Sequence, residues 1–300
     1  NALLASEVMR YEVIENELVE IKEKYADERR TRIIKMATEF NPEDMYADDD
    51  MVITISHLGY IKRTPLADFR QQGRGGIGAK AGAARDEDFI EYVHQANMHS
   101  TMMFFTEQGR LYWTKVYELP EGNRQSKGRA LQNMINIQKG DKVCAFIHVK
   151  NLNDMEYVQN HYLIFATKNG LMKKTTLESY SRPRANGIIA LGLREDDRLI
   201  RVTLTDGNSQ MLVASYNGKV VRFPEDTVRP MGRTATGVRA IKLDEDGKDR
   251  VIGMICVEQG SKDSVLVISE KGFGKRTLLD DENGEPIYRI TNRGGKGVKT

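Results

Sequence analysis

Two short signatures recur five times along this chain at matched spacing. The first is an apolar run closed by Ser or Thr, two further residues and a Gly: Met51–Ser56 with Gly59, Met102–Thr106 with Gly109, Leu163–Thr167 with Gly170, Met211–Ser215 with Gly218, and Val265–Ser269 with Gly272. The second is a Gly that opens a short strand-like stretch, at Gly78, Gly128, Gly187, Gly237 and Gly297, following its partner by 19, 19, 17, 19 and 25 residues. The period is 48 to 61 residues. Units of that length with several short strands bury their apolar faces against one another, which restricts the fold to a radial β array, a propeller or a relative of one. Function then belongs on the surface of the array.

Each repeat parses into four strands. The apolar run is the first. The second follows a tight turn, with Asn169-Gly170 and Asn217-Gly218 supplying the dipeptide favoured where both central residues need positive φ. The third starts at the second Gly, and the fourth follows an acidic residue, as in Asp88-Phe89-Ile90, Asp141-Lys142-Val143, Asp197-Arg198-Leu199 and Asp249-Arg250-Val251. Four repeats and the first half of a fifth are present, so a ring of them stays open unless residues beyond Thr300 close it. The expectation is a truncated chain, an internal piece of a soluble cytoplasmic protein that starts at Asn1 with neither a signal sequence nor a membrane-length apolar run.

Residues 1–50 contain 7 Lys/Arg and 14 Asp/Glu, so an overall charge of +2 hides a leader at −7 and a repeat region at +9. Within the leader, Leu4, Tyr11, Ile14, Leu18, Ile21 and Tyr25 read as the seam of a helix over residues 2–25. The run Glu39–Asp50, interrupted by Pro42, reads as an acidic linker. The division expected is a helical arm over 1–36, a linker over 37–50 and a β array over 51–300. Cys144 and Cys256 lie 112 residues apart in apolar runs and read as buried thiols of a reducing compartment. Cys256 shares its repeat position with His94 and His148, but Leu204 at the fourth equivalent and the lack of close ligand spacing argue against a metal site.

Basic residues cluster just after each turn Gly: Lys62 and Arg63, Arg110 with Lys115, Lys173 and Lys174, Lys219 with Arg222, Lys275 and Arg276. More precede or adjoin the second Gly: Arg70 and Arg74, Arg124, Lys127 and Arg129, Arg182 and Arg184, Arg229 and Arg233, Arg293 and Lys296. Rotation of a repeat turns one charged position into a ring of charges, a geometry suited to a polyanion bent around the outside and held by phosphate contacts without base readout. Blocking of strand edges accounts for single lysines but not for so many loop arginines at equivalent positions.

Gly73–Gly78 satisfies the dinucleotide fingerprint GxGxxG, yet it precedes a short strand and recurs in degenerate form at Asn292–Gly297, outside the strand-to-helix context the fingerprint needs. Its amides suit a phosphate at close range. Tyr60, Tyr112, Trp113 and Phe273 at the start of the second strands are better placed for packing between sheets than for stacking on bases. No nucleophile–base set, confined carboxylate pair or Walker A sequence is present, so the fragment reads as non-catalytic.

The segments Ile21–Thr31, Tyr60-Ile-Lys-Arg63, Val116-Tyr-Glu-Leu-Pro120, Gly218-Lys-Val-Val-Arg-Phe223 and Gly272-Phe-Gly-Lys-Arg276 resemble, in register, the carboxyl-terminal DNA-wrapping domain of gyrase A subunits, with Ile21–Thr31 similar to the end of the coiled-coil arm. The resemblance implies an all-β pinwheel, six-bladed in the family and about five blades here, with strands exchanged between blades of about 50 residues and a basic rim that wraps duplex DNA. The family's first-blade loop, Gln-Arg-Arg-Gly-Gly-Lys-Gly, maps onto Gln72, Gly73, Arg74, Gly75, Gly76, Ile77 and Gly78, with Gly73 and Ile77 in place of basic residues. Together with Lys80, these extend the DNA-binding candidates named above.

By the same resemblance, wrapping lets an ATP-dependent type II topoisomerase introduce negative supercoils. The partners implied are duplex DNA, the rest of the gyrase A polypeptide and the gyrase B polypeptide in an A2B2 holoenzyme in the nucleoid. The fragment itself would hold no cofactor or metal, with ATP and Mg2+ elsewhere in the holoenzyme. The alternatives are a topoisomerase IV C-terminal domain, whose first-blade loop is degenerate or absent, and a propeller adaptor that binds protein.

Overall fold

The computed structural model describes residues 6–28, 30–31, 41–69, 74–75, 87–245 and 247–300. The chain divides into two compact units, Asn1–Pro42 and Glu43–Thr300.

In the first unit, helix α1 spans Glu7–Tyr25, with Ser6 as N-cap accepting from the Met9 amide at 3.4 Å, Glu7 in the first turn, and Lys22 and Lys24 in the last. Its seam residues Tyr11, Ile14, Leu18, Ile21 and Tyr25 are exposed. Leu4 lies outside the described residues. No helix among those described is long and apolar enough to cross a membrane.

A 3-10 turn at Pro42–Met45 begins at the last residue of the first unit, and the second unit carries antiparallel sheets. The strands are β1 (Asp50–Ser56), β2 (Tyr60–Pro65), β3 (Ile90–Asn97), β4 (Thr101–Thr106), β5 (Arg110–Lys115), β6 (Arg129–Ala130), β7 (Val143–Val149), β8 (Tyr162–Thr167) and β9 (Leu171–Thr176). They continue with β10 (Ile188–Ile189), β11 (Leu199–Thr205), β12 (Ser209–Ser215), β13 (Lys219–Pro224), β14 (Val238–Arg239), β15 (Val251–Glu258), β16 (Ser264–Ile268), β17 (Gly274–Leu278) and β18 (Val298–Lys299). A short helix α2, Met155–Asn160, precedes β8. The sheets have the orders β3-β1-β2-β6, β10-β5-β4-β7, β11-β8-β9-β14, β15-β12-β13-β18 and β16-β17.

Three of the four strands in each complete sheet belong to one repeat, and the fourth, the two-residue strand after the second Gly, comes from the next. Thus β6 pairs with β2, β10 with β5, β14 with β9 and β18 with β13. The two Gly signatures therefore meet across consecutive repeats. The amides of Leu131, Ala190, Ala240 and Thr300 donate to the carbonyls of Gly59, Gly109, Gly170 and Gly218 at 2.8–3.0 Å. The acidic residue before each fourth strand ties the hairpin turn: Asp88, Asp141, Asp197 and Asp249 accept from the amides of Leu58, Gln108, Asn169 and Asn217.

The core lies between sheets. Met102 and Phe104 pack toward Met51, Ile53 and Ile55 of the preceding repeat, while Met103 and Phe105 pack toward Leu163 and Phe165 of the following one. Ile164 and Ala166 in turn meet Met211 and Val213. A central strand covered on both faces must be apolar at every position, which is why the first signature is an unbroken run and not an alternation. The fifth sheet has two strands, and Leu266 and Ile268 on it and Phe273 in its hairpin turn are exposed.

The stretch ahead of β1 packs on the second repeat. Tyr46 stacks on Tyr117 with centroids 4.8 Å apart, Glu43 pairs with Lys115, and Asp48 accepts from the His99 amide at 3.1 Å. Cys144 and Cys256 are free thiols, partly buried.

Candidate nucleic-acid interface

In the first four repeats the second strand is largely buried like the first, and this decides the fate of most cations on it. Lys62, Arg63, Lys173, Lys174 and Arg222, expected from the sequence as rim charges, are buried, between 0% and 7% exposed. That expectation is corrected: the strand lies in the middle of a four-stranded sheet, and the loop or turn of the following repeat covers these side chains and takes up their donors. They serve instead as fasteners between repeats. Arg63 Nε donates to the Leu119 carbonyl at 2.8 Å, with Glu121 3.0 Å from its Nη1. Lys174 pairs with the buried Glu225 at 2.7 Å. Arg222 donates to the carbonyl of Leu279 at 3.1 Å, to Asp280 at 2.7 Å and to the Gln210 amide oxygen at 2.7 Å. At the same repeat position Trp113 donates from its indole to the Tyr180 carbonyl at 3.1 Å.

The remaining cations of the second strands are partly engaged. Arg110 donates to the Tyr112 hydroxyl at 3.2 Å and the Asn186 carbonyl at 3.0 Å, and Lys219 pairs with Asp244. Lys275 and Arg276, on the two-stranded sheet, are exposed. Tyr112 lies in the core between the first two sheets and Trp113 packs against the next core, whereas Phe273 is 78% exposed.

Free charge sits in the loops ahead of the short outer strands. Lys127, Arg129, Arg182, Arg184, Arg229, Arg233 and Lys296 are exposed, and Arg124 and Arg293 half-buried, the latter donating to the Arg239 carbonyl at 2.8 Å. Arg74 and Gly75 are exposed, with Gly75 at φ +83°. Arg70, Gln72, Gly76, Gly78 and Lys80 lie outside the described residues, as do Gly73 and Ile77. Among the exposed cations that the sequence reading did not name are Arg239 and Lys299, which occupy the same position on the short strands β14 and β18. Their shared place two residues after the second Gly was the available signal.

These loops are pressed onto the preceding sheet. A Cβ on Gly128, Gly187, Gly237 or Gly297 would lie 2.3–2.7 Å from a carbonyl oxygen of Ile61, Leu111, Met172 or Val220, and all four have positive φ. Glycine is thus required twice over, by dihedral and by space. The loops of the third and fourth repeats flank a cleft of about 450 Å³ lined by Glu178, Ser179, Arg182, Arg184, Gly232 and Arg233. Three arginines from two repeats line it against one carboxylate, that of Glu178. Guanidiniums pair bidentately with phosphate oxygens, so the cleft suits an anion that spans a blade boundary.

The model of the family described as DNA gyrase C-terminal domain, beta-propeller, matches residues 50–97, 100–150, 161–206, 210–258 and 263–300. The chain belongs to this family. It is 42% identical over 299 residues to the DNA gyrase A polypeptide of Staphylococcus epidermidis (strain ATCC 12228 / FDA PCI 1200), covering 99% of this chain and 32% of that protein. It is 41% identical over 300 residues to the DNA gyrase A polypeptide of Staphylococcus aureus (strain NCTC 8325 / PS 47), covering 100% and 32%. The chain therefore spans close to one third of the length of these relatives. The solved C-terminal domain of DNA topoisomerase IV matches with a TM-score of 0.67 and 28% identity over 84% of this chain and 73% of that one. A solved DNA gyrase A C-terminal domain matches with a TM-score of 0.62 and 22% identity over 83% and 76%, a likeness of fold. The matched segments coincide with the five repeats, and each complete sheet adds to one such segment the short outer strand of the next.

Proposed function

We propose that this domain wraps duplex DNA along the exposed arginine loops, as the C-terminal part of a gyrase A polypeptide. The observation that carries this reading is the distribution of charge. The buried cations of the second strands are spent on fastening blades, and exposed arginines and lysines recur in the loops ahead of the short outer strands, with Arg182, Arg184 and Arg233 lining one cleft. Phosphate contacts of this kind are sequence-neutral and salt-sensitive. Bending a stiff duplex is favoured when contacts continue from blade to blade.

In this reading the domain supplies DNA geometry, and the chemistry lies elsewhere in the enzyme. DNA cleavage belongs to the rest of the gyrase A polypeptide and ATP hydrolysis to gyrase B. The assembly acts on the chromosome in the cytoplasm as a negative-supercoiling topoisomerase. Identity of 41–42% to gyrase A polypeptides over essentially the whole chain supports the gyrase assignment over decatenation. The test is topological: nicked circles are sealed with the full-length protein bound, and the linking number is read after removal. A shift of constant sign that grows with bound protein is expected. No shift, or binding insensitive to salt, would overturn the wrapping reading in favour of a protein-binding adaptor.

A further inference from the structure

Of the buried cations, Lys62 and Lys173 share one position in the repeat and do more than fasten sheets. Both ammoniums are turned into the loop of the following repeat. Lys62 Nζ donates to the carbonyl oxygens of Asn123, Arg124 and Ser126 at 2.9, 3.0 and 3.0 Å. The Asn123 side chain meanwhile accepts from the amides of Gln125 and Ser126 at 3.0 and 2.9 Å, closing the loop upon itself. Lys173 Nζ donates to the carbonyl of Arg233 at 2.6 Å, to that of Gly232 at 3.5 Å, to that of Ala190, and to the Tyr180 hydroxyl at 3.4 Å. Ala190 follows the Arg182–Arg184 loop of its own repeat, and Gly232 and Arg233 belong to the next. One ammonium thus holds the Gly232–Arg233 wall of the three-arginine cleft and reaches Tyr180 and Ala190, which flank the Arg182–Arg184 loop in the chain.

Packing alone does not require a cation there. Tyr112 and Val221 fill the equivalent position in the second and fourth blades, and both are buried without a charge. A buried ammonium carries a desolvation penalty that an apolar side chain avoids. What it adds is convergence of several carbonyl dipoles on one point. Drawing the carbonyls of Arg124 or Arg233 inward removes partial negative charge from the surface a phosphate would approach, and it fixes the backbone from which the guanidinium projects.

We propose that Lys62 and Lys173 are positioning residues for the DNA surface: each gathers the main-chain carbonyls of the next repeat's arginine loop and so sets its guanidiniums for phosphate. This rests on the wrapping function above. It also gives that surface a pH response. Burial, and after it the Arg233 guanidinium, push the Lys173 ammonium down to about 7, and burial lowers that of Lys62. The groups facing Lys173 Nζ are Arg233 from the next repeat, the phenol of Tyr180 from its own, and the Phe165 ring from β8 with its centroid 4.8 Å away. Burial raises the Tyr180 phenol, so it stays protonated. No carboxylate among the described residues pairs with Lys173. Loss of its proton removes a charge-assisted donor and loosens the Gly232–Arg233 loop.

The experiment measures affinity of the full-length protein for a duplex of roughly one persistence length, about 150 bp, at pH 6.5 and 8.5, for the parent, Lys173→Met and Lys62→Met. Thermal unfolding is followed in parallel. The parent should bind more weakly at pH 8.5. Lys173→Met should bind about tenfold more weakly than the parent at pH 6.5, with a shallower salt slope as loop contacts are lost, and it should lose the pH dependence. Lys62→Met should weaken binding while keeping the response from Lys173. A merely structural lysine would lower the unfolding temperature and leave the pH profile intact, and that outcome overturns the proposal. Should Lys173→Met fail to fold, a parent affinity that is flat from pH 6.5 to 8.5 overturns it instead. A parent that binds no duplex at either pH overturns the wrapping function itself, whereas a parent that binds and variants that match it remove only the role of the lysines.

Discussion

Lys174 and Glu225 form an ion pair 2.7 Å long in which the side chains are 6% and 0% exposed, and the pair joins the second strand of one blade to the 3-10 turn of the next. The carboxylate also accepts from the Thr205 hydroxyl at 2.7 Å and the Ser209 amide at 3.2 Å, and the ammonium lies 4.1 Å from the Tyr162 ring centroid. Removing one partner leaves the other buried and uncompensated. Lys174→Met is expected to lower unfolding free energy by about 3–5 kcal/mol, measured by denaturant titration, with the salt dependence of DNA binding unchanged at temperatures where the fold persists. A shallower salt slope without loss of stability would return Lys174 to the DNA surface.

Gly237 and Gly218 separate two reasons for glycine. Gly218 has φ +74° with nothing within 4 Å of a Cβ, whereas Gly237 has φ +92° and its Cβ would lie 2.3 Å from the Met172 carbonyl oxygen. Alanine at Gly218 is expected to cost about 1–2 kcal/mol for the left-handed backbone alone. Alanine at Gly237 should cost at least about 2 kcal/mol more, because two backbones must separate. Equal unfolding midpoints for the two variants would mean that the short strand β14 contributes little to joining the third and fourth repeats.

The repeat, its apolar first strand, the place of the tight turns and the acidic residue before the fourth strand were legible in the sequence, because each leaves a periodic mark, but the turn type was not: Gly170 and Gly218 have positive φ and Asn169 and Asn217 do not, so a single left-handed residue closes each turn. The runs Met102–Phe105 and Leu163–Ala166 already signal burial on both faces. Exchange of the short strand was not legible from the residues: a two-residue strand such as Ile188–Ile189 has no period, and only the likeness to a known family implied it. The site was legible by class and misjudged by residue. A Lys on a strand ordinarily marks a solvated edge, and nothing in Tyr-Ile-Lys-Arg distinguishes an ammonium facing water from one facing the carbonyls of Asn123 and Ser126, some 60 residues away. Loop arginines such as Arg182 and Arg233 were read as exposed and are exposed, because loops carry no second covering sheet.

His94 gives the domain a response to acid. Its Nε2 is buried without a hydrogen-bond partner, and burial, then His148 and Arg201, hold its pKa below the ordinary 6.5. Burial lowers His148 likewise. Below pH 6.5 the unfolded chain takes up protons that the native state refuses, so stability falls as pH drops through 6.5 toward the depressed native values. His94→Gln is expected to flatten the unfolding midpoint between pH 6.5 and 5 in a thermal scan series. A wild-type midpoint that is level or rising over that interval would contradict the burial argument.

Arg182 and Arg184 differ from the buried cations in having no side-chain partner among the described residues. Both are exposed, both lie on the three-arginine cleft, and among the described residues neither forms an ion pair. Replacing the pair by Ala should therefore shift unfolding free energy by about 0.5 kcal/mol or less. If each guanidinium neutralises one phosphate, the log–log salt slope of duplex binding should become shallower by about 0.9 per residue, or nearly 2 for the pair. Binding should weaken equally on duplexes of unrelated sequence, since phosphates carry no base identity. The measurement is an anisotropy titration at four or more salt concentrations, run beside Arg222→Gln, whose guanidinium is held by Leu279, Asp280 and Gln210. The expected contrast is a lost slope with intact stability for the loop pair and lost stability for Arg222→Gln. The reverse pattern would place the DNA on the blade faces instead of the arginine loops.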